Sequence, residues 1–374
     1  MENLYSNILY LSDAISANLP GDIVSDIFTR LPVKSLCRFK CVSKSMYSIL
    51  HSPNFIKKHT NRAIQKDPSM ILRTEFRLYA VEEDEEHIKV RKLQVPFARS
   101  LEKIGISGSC NGLLCISDQR HDEDIYIYNP STRVYRKLPV PEFDIPTNID
   151  STFFTSLGFG FHQNDYKLVR SLYLYDKPSE DIDSYKCEAR IYSFSANKWR
   201  KIGGIPFHIR SRVAIMVHNN FVWTASRGLG TGMSILVVAF DLDREEFWEV
   251  PRPEIAITRQ CQIEVSVFEG RFSIYYMWKN DRVEIWTMEE FGVKQSWKKQ
   301  FVIGPNLSLD DGFLYLKPLL VMRKGKILIE QGEGELILYD PRSETATNFK
   351  IRAAPRWFRV TSFVGSLVSP FHNQ

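Results

Sequence analysis

The stretch Ile125-Tyr126-Ile127-Tyr128-Asn129-Pro130-Ser131-Thr132-Arg133-Val134-Tyr135-Arg136-Lys137-Leu138-Pro139 decides the fold. An alternating run ends at Tyr128, a polar turn follows, and a second strand starts at an aromatic, Tyr135, seven residues on. Period-two alternation bounded by Asn, Pro and Ser reads as an antiparallel hairpin. The unit recurs at Ala189-Arg190-Ile191-Tyr192-Ser193 with Trp199, at Val238-Ala239-Phe240-Asp241 with Phe247, and at Val283-Glu284-Ile285-Trp286 with Trp297. It recurs again at Leu336-Ile337-Leu338-Tyr339-Asp340-Pro341, and weakly at Phe76-Arg77-Leu78-Tyr79 with Ile88 to Leu93. Aligned on Tyr79, Tyr128, Tyr192, Phe240, Trp286 and Tyr339, the steps are 49, 64, 48, 46 and 53 residues.

Between these copies lie more apolar hairpins. One turns at Asn111-Gly112, one at His218-Asn219-Asn220, one at Glu269-Gly270 and one at Lys324-Gly325. Asn-Gly is a strong hairpin signal because both turn residues tolerate positive φ. Each unit is thus an apolar inner hairpin and a more polar outer one. Four strands at a period near ~50 residues are the signature of kelch-like β-propeller blades. Six copies predict six blades. The first copy lacks an inner hairpin, and Trp357 to Val364 is expected to supply its inner strand and close the ring, removing exposed edges.

The 64-residue step from Tyr128 to Tyr192 is the irregular one. Its excess is assigned to Glu142–Thr155 and Asp176–Lys186, which are poor in strand pattern. Insertions in repeat proteins map to loops, often on the binding face. Asp176, Glu180, Asp181, Asp183 and Tyr185 are therefore candidates for contact with a target; the alternative is a neutral insertion.

The first sixty residues read differently. Ile23, Ile27 and Leu31, flanked by Val24 and Phe28, form a helical stripe, with Asn18 as cap, Pro20 in the first turn and Pro32 as the stop. A second short helix would turn Val33, Leu36, Cys37 and Cys41 inward. A third, starting at Ser43, would turn in Met46, Tyr47, Ile49 and Leu50. Ser52-Pro53 opens a fourth through Phe55 and Ile56. Four short helices bury little surface alone, so their apolar stripes form either an interface with the rest of the chain or a docking surface. The whole is an α+β multidomain chain: an all-α domain over 16–60 and an all-β propeller over 65–374.

The run Leu19-Pro20-Gly21-Asp22-Ile23-Val24 … Arg30-Leu31-Pro32-Val33-Lys34-Ser35-Leu36-Cys37-Arg38-Phe39-Lys40-Cys41-Val42-Ser43-Lys44 resembles an F-box of the plant type. Gly108-Ser109-Cys110-Asn111-Gly112-Leu113, Tyr128-Asn129-Pro130-Ser131-Thr132, Leu157-Gly158-Phe159-Gly160-Phe161, Asp165-Tyr166-Lys167-Leu168-Val169 and Ser366-Leu367-Val368-Ser369-Pro370 are similar to the plant F-box-associated interaction domain (type 1), as found in S-locus F-box and F-box/kelch proteins. The resemblance implies a non-catalytic substrate-recognition subunit of a Skp–cullin–F-box ubiquitin-protein ligase. It implies docking on a Skp-type adaptor, and through it on cullin and RING subunits, by Leu19, Pro20, Ile23, Ile27, Leu31, Pro32, Leu36 and Val42. Met46 stands where the family usually has Trp. The propeller would hold a protein target.

The net charge of +5 in 374 residues is too small to imply a nucleic-acid partner, but it is uneven. Residues 1–64 carry eight basic and four acidic side chains, leaving +4 there and +1 elsewhere. Since the family's adaptor is acidic, Lys34, Arg38, Lys40 and Lys44 are expected to steer it toward the apolar contact. The six cysteines form no dense framework and read as buried free thiols of a reducing compartment. No apolar stretch approaches the ~20 residues needed to span a bilayer, and Met1 to Tyr5 has no signal-peptide pattern. The expectation is a cytoplasmic or nuclear protein without membrane partner, metal or cofactor. Gly108-Ser109-Cys110-Asn111-Gly112 imitates a nucleophile elbow, but strand pattern on both sides makes it a hairpin. Gly228, Gly230 and Gly232 read as a blade connection. Arg356-Trp357-Phe358-Arg359 reads as a strand with outward arginines rather than a base-stacking patch. The competing class is a propeller enzyme, or a carbohydrate- or small-ligand-binding protein, with an incidental helical head.

Overall fold

The structure, a computed structural model, describes residues 20–65, 69–83, 88–118, 124–144, 152–175, 185–228, 233–257, 261–278, 281–304, 316–322, 325–332 and 334–371. The helical head comprises α1 (Gly21–Thr29), α2 (Val33–Phe39), α3 (Lys44–His51) and α4 (Pro53–Ile64). Ser43 and Ser52 cap α3 and α4 as their sequence predicts: their hydroxyl oxygens accept from the Met46 and Phe55 amides at 3.2 and 3.3 Å. The start of α1 differs. Pro20 is itself the cap residue, extended at ψ 139°, with no side-chain acceptor. Asn18, the expected cap, lies outside the described residues. Pro32 likewise caps α2 rather than only ending α1.

The head packs Val24, Phe28, Val33, Leu36, Met46, Leu50 and Phe55 into one core. Tyr47 and Cys41, expected inside, are exposed. α3 is two turns long, so one i,i+4 pair, Met46 and Leu50, takes the inward side. Cys41 lies past the end of α2.

Six antiparallel sheets follow. From inner to outer strand, blade 1 is Arg359–Phe363, Ser69–Arg73, Leu78–Glu83 and Ile88–Lys92. Blade 2 starts from Ile104–Cys110, blade 3 from Thr152–His162, blade 5 from Cys261–Phe268 and blade 6 from Leu316–Val321. In blade 4 the inner edge is split into His208–Ile209 and Ile215–Val217, both paired with Asn220–Arg227. Six apolar cores hold the ring together, one between each neighbouring pair of blades. The last joins Leu328 and Leu336 of blade 6 to Met70, Leu72 and Val360 of blade 1. The closing strand is the one the sequence names: Ser69 pairs with Phe363 and Arg73 with Arg359.

Blade 3 corrects the assignment of its excess length. Thr152–His162 and Asp165–Tyr175 are 11-residue strands, and Tyr185–Ser193 has nine. Part of the supposed loop is therefore strand. Thr152 to Thr155 and Tyr185 to Lys186 have weak alternation of their own, and continuous pairing on both edges of Asp165–Tyr175 fixes them.

The segment after the closing strand runs between head and propeller. The Asn129 side-chain amide donates to the Ser366 and Val368 carbonyls at 3.1 and 2.7 Å, while its oxygen accepts from the Ser131 amide. Ser366 donates to the Asn111 carbonyl at 2.7 Å. Asn111 and Gly112 have φ of 51° and 81°, forming the expected hairpin turn. A side chain at Gly112 would collide with Ser366 Oγ and reach 2.6 Å from the Val364 carbonyl oxygen. Leu367 then enters the core of the helical head. The two turns most legible in the sequence are thus the seat of the C-terminal strap.

Candidate functional site

The helical head presents one apolar face outward. Ile23 and Ile27, one turn apart on α1, are 47% and 45% exposed, while Val24 and Phe28 beside them are buried. The apolar stripe is therefore divided: Val24 and Phe28 pack inward, and Ile23 and Ile27 stay exposed. Pro20 and Pro32 are exposed; Leu31 and Val42 are half-buried. Leu36 is wholly buried in the core of the head, so it supports the outer face from below and does not form part of it. Leu19 lies outside the described residues. Lys34, Arg38 and Lys44 are exposed. Lys40 is half-buried, with Nζ 3.3 Å from His51 Nε2, and burial pushes its ammonium pKa down.

The head covers only one face of the ring. The bridge between Leu157 of blade 3 and Val213, which lies between the two inner segments of blade 4, is parallel, so the inner edges of these neighbouring blades run from the same face to the other. The strap and α4 sit where they end. Asn111, Phe161, Asn164 and Phe194 line one cleft there with Ile56 and Thr60. The central channel holds a cavity of about 640 Å³, lined by five blades. Its charged lining is Arg73 and Arg359 of blade 1, Arg212 of blade 4, Glu264 of blade 5, and Lys317 and Glu330 of blade 6.

These charges are laced together. Lys317 Nζ lies 3.9 Å from Glu264, and Arg359 Nη1 lies 4.0 Å from Glu330. Arg73 donates to the Ile104 carbonyl at 3.0 Å, and the Val360 amide donates to Glu330 at 3.2 Å. Arg359 thus faces the channel, against the expectation of outward arginines. Arg356 and Trp357 precede the strand, and Trp357 is 62% exposed.

Glu330 is 1% exposed, and its burial outweighs the pull of Lys317 and Arg359, raising its pKa to about 7. A carboxyl whose folded pKa lies above its unfolded value favours the fold below the unfolded pKa. That contribution is lost as pH rises from about 4.5 toward 7. Replacing Glu330 by Gln keeps an acceptor for the Val360 amide and removes the titration. The variant is expected to match wild type at pH 4 and to exceed it at pH 8 by about 3 kcal/mol. Denaturant unfolding at the two pH values measures this; an equal difference at both would refute it.

The target-contact candidates fare unevenly. Asp176, Glu180, Asp181 and Asp183 lie outside the described residues. Tyr185 is half-buried at the start of its strand, its ring 5.6 Å from Tyr173 and 5.2 Å from His208. It packs in an aromatic cluster between blades 3 and 4 and is not on a free loop. Gly230 and Gly232 are also outside the described residues. Of the six free cysteines, Cys115 and Cys261 are buried, whereas Cys41 is exposed, which corrects the reading of all as buried. Sequence reasoning missed the channel charges. The signal available was a charge inside an apolar inner strand, as at Ile263-Glu264-Val265 and Leu316-Lys317-Pro318. Among the described residues no helix is long and apolar enough to cross a membrane.

With this geometry in hand, the comparisons with known proteins are direct. Residues 69–370 match the F-box associated beta propeller domain family, and residues 17–58 match the F-box domain. The chain is 30% identical over 372 residues to F-box protein CPR1 of Arabidopsis thaliana, covering 94% of this chain and 89% of that protein. An F-box/kelch-repeat protein of the same plant is 28% identical over 343 residues, covering 86% and 88%.

Proposed function

Because the chain belongs to the F-box proteins that carry an F-box-associated β-propeller, we propose that it is the substrate-recognition subunit of a Skp–cullin–F-box ubiquitin-protein ligase. The observation that carries this reading is the outward Ile23–Ile27 face on α1. A Skp-type adaptor docks on that face and links the chain to cullin and RING subunits. Lys34, Arg38 and Lys44 steer the acidic adaptor; Lys40, half-buried beside His51, does so less. The opposite face of the propeller holds a protein target. The chain supplies no nucleophile: it accelerates ubiquitin transfer by holding the target near the ubiquitin-carrying enzyme, an effective-concentration effect. Its place of action is where that ligase works, in cytoplasm, nucleus or both.

The test is co-expression of the full chain with a Skp-type adaptor, then reconstitution with cullin and RING subunits. The expected result is a stable adaptor complex that transfers ubiquitin to proteins captured by the propeller. Failure of the chain to retain the adaptor would sink the reading.

A further inference from the structure

We propose that the cleft between the helical head and the propeller is a small-molecule site, and that it takes a flat aromatic carboxylate, its ring against Phe161, Phe194 and Phe371 and its carboxylate held by Lys57 and Thr60. The head side of the cleft is one face of α4: Pro53, Ile56, Lys57, Thr60 and Asn61 line it, at the spacing of successive helical turns. Blade 2 supplies Asn111, blade 3 and the turn after it supply Phe161, Tyr166 and Phe194, and the C-terminal strap supplies Val368 to Phe371. The cavity is about 350 Å³, which suits a molecule of two or three rings, and ligand pockets concentrate at such junctions between domains.

The lining sets the chemistry of the ligand. Its propeller wall is aromatic: the Phe161 and Phe194 rings stand 4.8 and 5.7 Å from the Tyr166 ring. The Arg136 guanidinium lies over both Phe194 and Phe371, at 5.6 and 5.9 Å, and keeps the ring of the strap beside that of the blade. Flat faces of this kind accept a flat ring. No carboxylate is among the described lining residues. His51 is already engaged, Nδ1 donating to the Tyr47 carbonyl at 2.8 Å and Nε2 accepting from Lys40. Lys57 is exposed, and among the described residues no hydrogen bond or ion pair holds its ammonium. A single free cation at the edge of an apolar wall selects a molecule with one negative charge. A nucleotide would bring more charge than one lysine balances, and a neutral ring would leave Lys57 unanswered.

Thr60 is the second polar anchor. It is 4% exposed, and its Oγ1 has no hydrogen-bond partner. Buried hydroxyls are nearly always paired. The Ile56 carbonyl, one turn back and the common recourse of a helical threonine, is not taken. Thr60 follows Lys57 by three residues on the same face, so one carboxylate can accept from both.

The experiment is calorimetric titration of the full chain, without adaptor, with β-naphthoate. β-Naphthamide keeps the ring and loses the charge; β-naphthylmethylammonium reverses it. Naphthoate is expected to bind roughly tenfold more tightly than either, and to raise the unfolding midpoint because it binds only the folded chain. Lys57→Gln should weaken naphthoate about tenfold, to the level of the amide. Lys58→Gln makes the same charge change about 100° around the helix and should leave the affinity unchanged. Thr60→Val keeps the shape and removes the hydroxyl. It should weaken naphthoate several-fold while the unfolding midpoint of the free chain holds or rises, since an unpaired polar group leaves the interior. A damaged fold would lower that midpoint instead. No binding of naphthoate at millimolar concentration, equal affinity for the three compounds, equal losses in Lys57→Gln and Lys58→Gln, or full affinity in Thr60→Val overturns the proposal. No adaptor enters the titration, so none of these outcomes bears on the ligase reading, which adaptor retention tests.

Discussion

Replacing Ile23 and Ile27 together by Asp is expected to abolish adaptor co-precipitation while leaving the chain folded. The two side chains sit one turn apart on α1 and are about half exposed, with the core-facing work done by Val24 and Phe28. An exposed apolar pair on a helix is the kind of anchor that dominates an interface, and two such anchors are worth about 4 kcal/mol or more, roughly a thousandfold in affinity. Placing a carboxylate where the partner is apolar adds a desolvation penalty to the lost contact. The cost to the free chain is small, since exposed substitutions mostly stay within about 0.5 kcal/mol. Leu31 is a poorer choice for the same test: it is half-buried against the head, and its carbonyl accepts from His59 at 3.1 Å. The measurement is adaptor pull-down alongside thermal unfolding. Retained binding with an unchanged midpoint would remove α1 from the interface.

Ending the chain after Pro355 is expected to destroy the cooperative fold of the propeller, not merely to weaken it. The cut removes the inner strand of blade 1 with its five paired residues. It also withdraws Phe358, Val360, Phe363 and Leu367, all buried. At about 1.5–3 kcal/mol for each such side chain, the loss is comparable to the entire net stability of a typical domain. Asn129 loses both carbonyl partners, and the head loses Leu367 from its core. Circular dichroism and calorimetry should show no sharp transition. A transition at the wild-type temperature would mean that the remaining sheets stand without closure.

What could be read from residues alone, and what could not, divides by the range of the interaction. Hairpins announce themselves locally. Asn111-Gly112 and the Tyr128-Asn129-Pro130-Ser131 turn follow from the φ values their residues tolerate, and the serine caps of α3 and α4 follow from side-chain reach. Closure by Arg359–Phe363 was legible because one copy of a counted repeat lacked its inner strand. Tyr47 is exposed because a helix of eight residues has one buried face, narrower than its apolar content suggests, and Cys41 because the second helix ends before it. Blade 3 was misread because pairing across the sheet lengthened strands whose own pattern is weak. The channel charges were invisible for a different reason. Arg73, Arg212, Glu264, Lys317 and Arg359 are far apart in sequence and meet only once the ring has closed.

The pairing of Ser69 with Phe363 also fixes a timetable. A ribosome makes the chain from the amino end, so the second strand of blade 1 emerges early and its inner partner only after blades 2 to 6. While blades 2 to 6 are being synthesised, Ser69–Arg73 presents an unpaired edge, and the helical head lacks the leucine that completes its core. Unpaired edges are templates for association with other chains. Every newborn molecule passes through a period in which neither of its two domains is finished, and a single short segment ends that period for both. Quality control therefore has one late event to monitor. A chain that stalls or is clipped near its end would be unfinished in both the helical head and the propeller, and not in one alone.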